Sequence, residues 1–181
     1  MALEYSVPTP DNLTFLRREI LKAKIEPHEG ATGLNCYFNA RDAVKKHGGS
    51  LIDVWEVVEV TGCFLHFRPH VLWRKPEGKV IDPTPSEFGI SVTTYFEAPT
   101  PHELPMPPGY LHPLTNNPEF IKAIRIQNLA YKMIAEKLIP GKEVKINKQH
   151  LFDECSVILK KEGMYSDDNV TLLAKLFVRG K

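Results

Sequence analysis

Between residues 51 and 60 the chain reads LIDVWEVVEV, a run of β-branched and aromatic residues that predicts a strand. A shorter strand is expected over 63–67, and SVTTYF at 91–96 predicts another. Between them, HVLWRK and KVID flank the turn residues Pro76-Glu77-Gly78 and mark a hairpin over 70–82. Elsewhere the apolar spacing is helical. Thr9-Pro10 makes a helix start, and Leu13, Leu16, Ile20 and Leu21 keep a helical period to about Lys24. Residues 27–33 read as a loop. From Cys36 to His47, Ala40, Ala43 and Val44 share one face, and Gly48-Gly49 ends the helix. Three further helical patterns cover roughly 118–138, 147–162 and 166–178, opened by Asn117-Pro118, Asn147 and Ser166.

Seven prolines between Ala98 and Pro118 leave little room for helix or central strand, so this segment is expected to be extended. The resulting organisation is an α+β core over 1–97, a proline-rich connection over 98–117 and a helical subdomain over 118–181 packed on the core.

Composition narrows the function classes. An apolar fraction of 43% with 25% charged residues is that of a soluble globular chain. A formal net charge of +1, and eight basic against six acidic residues from Pro140 onward, argue against a nucleic-acid partner. No apolar run reaches membrane-spanning length, and the first residues lack the pattern of a signal peptide. Three cysteines do not make a disulfide framework, so a reducing cytoplasm is the expected setting.

The candidate chemistry lies at the hairpin and at the helix before it. Side chains alternate along strands, so a loop of three residues puts His70 and Asp82 on the same side of the sheet, whereas a loop of two puts them on opposite faces; the pairing is allowed by the sequence but not forced. A carboxylate so placed orients an imidazole and stabilises its protonated form. Cys36 follows Asn35, a favoured N-cap residue, and so falls in the first turn of its helix, where free N–H groups and the helix dipole favour a thiolate. A histidine beside it completes a thiolate–imidazolium pair. Asn35, Asn39 and the Cys36 N–H are the candidate oxyanion donors, and Trp73 is a candidate cleft wall.

These residues resemble a family. A cysteine opening a helix, then strands, then H-x-x-W and G-x-x-x-D-P-T, formed here by His70, Trp73, Gly78 and Asp82-Pro83-Thr84, is similar to the transglutaminase-like and broader papain-like group of cysteine hydrolases. The resemblance covers about residues 33–85. It implies a Cys36–His70–Asp82 triad in an α+β fold whose small antiparallel sheet packs on the cysteine-bearing helix. It also implies a cofactor-free hydrolase or acyl-transfer enzyme acting on a peptide or protein amide through a thioester, whether as peptidase, amidase, deamidase or transglutaminase.

Two other readings stay open. A papain-like cleft that has lost its chemistry would be a module binding a protein partner. Alternatively Cys63, His66 and His70, spaced by three and four residues, offer sulfur and imidazole to zinc. The two chemistries compete for His70.

Overall fold

The computed structural model describes residues 4–102, 106, 108–137 and 147–179, and the chain divides into two compact units, Met1–Glu103 and Leu104–Lys181. The first unit runs β1 (Tyr5–Ser6), α1 (Pro10–Leu13), a 3-10 turn (Thr14–Leu16), β2 (Leu21–Ile25), α2 (Cys36–His47), β3 (Ser50–Val60), β4 (Phe64–Arg74), β5 (Val80–Asp82) and β6 (Val92–Glu97).

The two long strands dominate. β3 and β4 pair antiparallel from Ser50–Arg74 to Val60–Phe64, so the turn-strand run expected over 63–67 and the first arm of the hairpin are one continuous strand. β6 pairs with the other edge of β3, and β5 with the other edge of β4. β2 then joins the free edges, antiparallel to β6 and parallel to β5. The order β3-β6-β2-β5-β4 thereby returns to β3 and closes a five-stranded barrel. Closure removes the open edges that a sheet must otherwise protect.

This corrects the expected fold class. A papain-like or transglutaminase-like arrangement, with a small antiparallel sheet packed on a cysteine-bearing helix, is replaced by a barrel with helices and one parallel seam. The reason lies in residues 20–25. Ile20 and Leu21 continue an apparent helical spacing, yet α1 ends at Leu13 and Arg17 turns the chain through a left-handed conformation (φ 48°). Leu21–Ile25 then alternates exposed lysines with buried Ala23, the pattern of a strand. That unrecognised strand is the one that closes the barrel.

α2 packs Ala43 against Trp73 and Ile81. The Trp73 indole N–H donates to the Gly48 carbonyl at 2.9 Å, fixing the helix end to β4. Gly49 follows with φ 90°, and a Cβ there would lie 2.1 Å from the Arg74 carbonyl oxygen, so only glycine fits.

The second unit contains β7 (Tyr110–Pro113), α3 (Pro118–Lys137), α4 (Lys148–Lys161) and α5 (Asp167–Arg179). Its core gathers Ile126, Met133, Leu159, Leu173 and Phe177 around Cys155, whose thiol burial pushes up to about 11. Within the proline-rich connection, 103–105 and 107 lie outside the described residues, as do 138–146 beyond α3.

Candidate functional site

The hairpin geometry depends on register. Trp73 faces Ile81 and Arg74 faces Val80, so continuing the pairing sets Asp82 across from Leu72, with His70 on the same face one diagonal step away. His70 Nε2–H donates to Asp82 Oδ2 at 2.9 Å. The same oxygen accepts from the Thr93 hydroxyl at 2.6 Å, and Oδ1 accepts from the Thr84 N–H at 2.9 Å. Asp82 and Thr93 are 2% and 0% exposed, so this carboxylate lives entirely on protein donors.

A second carboxylate stands on the other side of the ring. Glu56 Oε2 lies 3.9 Å from His70 Nδ1. Glu56 faces Arg68 across the β3–β4 ladder, and the Arg68 guanidinium grips it through both Nε and Nη2. Nη1 of Arg68 reaches Glu87 at 3.0 Å, and the guanidinium lies over the Phe88 ring. The result is a row of alternating charge that runs inward from the surface, from exposed Glu87 through half-buried Arg68 to buried Glu56, His70 and Asp82.

Electrostatics follow from that row. Burial alone would push the His70 imidazole down. The Asp82 charge and hydrogen bond, the Cys36 side chain that engages the ring, and the Glu56 charge outweigh burial and hold it well above its ordinary 6.5. Burial would likewise raise the Asp82 carboxyl, but the His70 charge and the bonds from His70, Thr93 and Thr84 keep it below its ordinary 3.8. Both shifts favour the same form of the pair, imidazolium beside carboxylate.

Cys36 begins α2 and is 9% exposed. Asn35 occupies the N-cap position, but its amide donates to the Thr32 hydroxyl at 2.7 Å and makes no cap to the helix. Asn39 is 5% exposed and ties down the preceding loop. Its Nδ2 donates to the Thr32 carbonyl at 2.8 Å and to the Thr84 hydroxyl at 3.2 Å, and its Oδ1 accepts from the Thr32 N–H. That amide is committed to structure. Trp73 is a packing residue between α2 and the barrel, 7% exposed. Leu34, by contrast, is 81% exposed at φ 62°, and Phe38 one turn on is 53% exposed.

The zinc reading is corrected. Among the described residues no group of three His, Cys, Asp or Glu side chains is placed to hold a metal ion. Cys63 sits in the turn before β4, and His66 and His70 are both in β4, separated by roughly 13 Å of extended strand. Burial, with Arg68 beside it, lowers His66 to about 4 and leaves that ring neutral.

The cysteine-hydrolase reading is corrected as well, together with its thiol-protease, transglutaminase and acyl-transfer forms. The fold overturns it: the helix that begins at Cys36 packs on a closed five-stranded barrel, not on the small open sheet from which a papain-like or transglutaminase-like cleft is built. Two cavities in the described residues, one beside α1 and one between α4 and α5, include neither Cys36, His70 nor Asp82. The papain-like binding module falls with the papain-like fold. No family model, curated protein or solved structure matches this chain.

Sequence reasoning missed Glu56, Arg68, Thr84 and Thr93. The signal for the first two was two charges inside otherwise apolar strands, which become partners only when β3 and β4 are set in register. Among the described residues no helix is long and apolar enough to cross a membrane.

Proposed function

We propose that this protein works through Cys36 as a stoichiometric, peroxide-responsive thiol, with His70 and Asp82 as the residues that set its environment. The reading rests on one observation: the Cys36 side chain engages an imidazolium that Asp82 holds in its charged form. A cation beside a sulfur makes it a preferred site of oxidation. Such a role needs a standing positive charge, which the two carboxylates supply, and no proton shuttle.

The step balances simply. The sulfur attacks one oxygen of hydrogen peroxide, an S–O bond forms and the O–O bond breaks. The thiol proton leaves with the departing hydroxide as water, and sulfenic acid remains. Sulfur loses two electrons and the peroxide gains them. Two equivalents of a cellular thiol reverse the change: the first forms a mixed disulfide with Cys36 and releases water, and the second frees the Cys36 thiol as the small disulfide leaves. The low exposure of Cys36 favours a small oxidant over a bulky one. The three cysteines, all free thiols, support a reducing, cytoplasmic setting. Leu34 and Phe38, exposed beside the site, supply a surface where a protein partner would read the change.

Peroxide treatment with dimedone trapping and peptide mass spectrometry tests the proposal, with Cys63 and Cys155 as internal controls. Cys36 should label faster than Cys63 although Cys63 is the less buried, and Cys155 should be slowest. The advantage should vanish in His70→Gln. Labelling of Cys36 no faster than Cys63 in the unaltered protein ends the proposal, whether or not the variant folds.

A further inference from the structure

The N-terminal arm carries a second feature, separate from Cys36. Where α1 and the 3-10 turn run into β2, the surface holds an open cavity of about 440 Å³. That is within the range of small-molecule sites, roughly 300–1,000 Å³. Its apolar lining includes Pro8, Leu13 and Ile20, of which Leu13 is 6% exposed. Its polar lining is cationic: Arg17, Arg18 and Lys22 all border it, and no carboxylate does among the described residues.

Among the described residues none of these three cations makes an ion pair, and Arg18 instead lies over the Phe96 ring at 5.5 Å. Arg17 and Arg18 are adjacent, and adjacent side chains ordinarily diverge. They border one cavity because Arg17 holds a left-handed conformation, φ 48° and ψ 34°, which an arginine adopts only at a cost. The wall opposite is fixed to the barrel. Glu59, 6% exposed in β3, accepts from Asn12 Nδ2 at 2.9 Å and from the Thr9 N–H at 3.4 Å. The one nearby buried carboxylate is thus engaged by α1 and does not border the cavity.

We infer that this cavity binds a phosphate monoester with a flat apolar body, the body against Leu13 and Ile20 and the phosphate held by Arg17, Arg18 and Lys22. Two guanidinium groups and an ammonium match a dianion that presents several acceptor oxygens. The apolar floor excludes a bare inorganic ion as the preferred occupant, because the floor would stay wet.

The test uses the full chain and three probes in fluorescence or calorimetric titrations: 1-naphthyl phosphate, 1-naphthol and inorganic phosphate. The ester should bind saturably, and more tightly than either fragment. Arg17→Gly is the informative variant, since glycine accepts the same backbone conformation and removes only the cation. It should weaken the ester by about tenfold, the scale of one lost charge-assisted hydrogen bond, and leave 1-naphthol unaffected. Lys22→Gln should weaken it in the same direction. The inference is overturned if 1-naphthol binds as well as its phosphate, if inorganic phosphate matches the ester, if Arg17→Gly changes nothing, or if no saturable binding occurs.

Discussion

Replacing Asp82 with asparagine isolates the value of the buried ion pair, because the side chain keeps its size while losing its charge. His70 is 6% exposed and Asp82 2%, so water can replace neither partner. Breaking a buried pair by removing one member costs about 3–5 kcal/mol. Asparagine keeps an amide oxygen for the Thr93 hydroxyl or the Thr84 N–H, which puts the expectation at the lower end, about 3 kcal/mol. For a unit of this size that is a fall in Tm of roughly 12–24 °C.

The pH dependence carries a second signature. His70 has its folded pKa raised, so its contribution is complete below the unfolded value near 6.5 and is lost as pH rises through the higher folded value. Asp82 has its folded pKa lowered, so its contribution is present above the unfolded value near 3.8 and is lost as pH falls through the folded one. The His70 contribution to wild-type stability should therefore begin to fall as pH rises past about 6.5 and go on falling until the higher folded value is reached. In Asp82→Asn the leading opposition to burial is gone, so that alkaline decline should shrink and end at lower pH. Both tryptophans, Trp55 and Trp73, lie in the barrel unit, so urea unfolding followed by their fluorescence reports on it alone. A variant within 1 kcal/mol of the parent, or an unmoved alkaline limb, would refute the assignment of His70 as a buried cation paired to Asp82.

Two further substitutions set the limits of that scale. Gly49→Ala forces a Cβ to 2.1 Å from the Arg74 carbonyl oxygen and to 2.9 Å from Trp73 Nε1 at φ 90°, and should cost about 3 kcal/mol or more in thermal or urea unfolding. Arg74→Ala removes only a half-exposed pair with Glu97 at 3.5 Å, and the same assay should register under about 1 kcal/mol.

Local structure was largely legible in the sequence. Cys36–His47 is a helix ended by Gly48-Gly49, and the three C-terminal helical patterns correspond to α3, α4 and α5 within a residue or two. The side-by-side placement of His70 and Asp82 was one of two outcomes that strand alternation allowed, and the length of one short turn decided between them. What failed was long-range pairing. Leu13, Leu16, Ile20 and Leu21 fit a helical period, and nothing near Ala23 in the chain announces that it will lie across from Thr93. Without β2 the sheet looks open, and an open sheet beside a cysteine-bearing helix invites the wrong architecture. Glu56 was invisible for a related reason: a glutamate among valines reads as a solvent-facing residue until Arg68 is brought opposite it. That pairing then changed the chemistry assigned to His70.

The parallel seam between β2 and β5 also dictates an order of events during synthesis. β2 leaves the ribosome before either of its neighbours, and neither exists until residues 80–97 have been made. The β3–β4 hairpin can zip as soon as its two arms emerge, because its contacts are local. β2 must wait, unpaired on both edges, until β5 and β6 have been made. Its place in the barrel sets Ile25 alongside Asp82 and Ala23 alongside Thr93, so the interior charges are covered on that side only once β2 is paired. The five residues that most resembled the tail of a surface helix are the barrel's keystone.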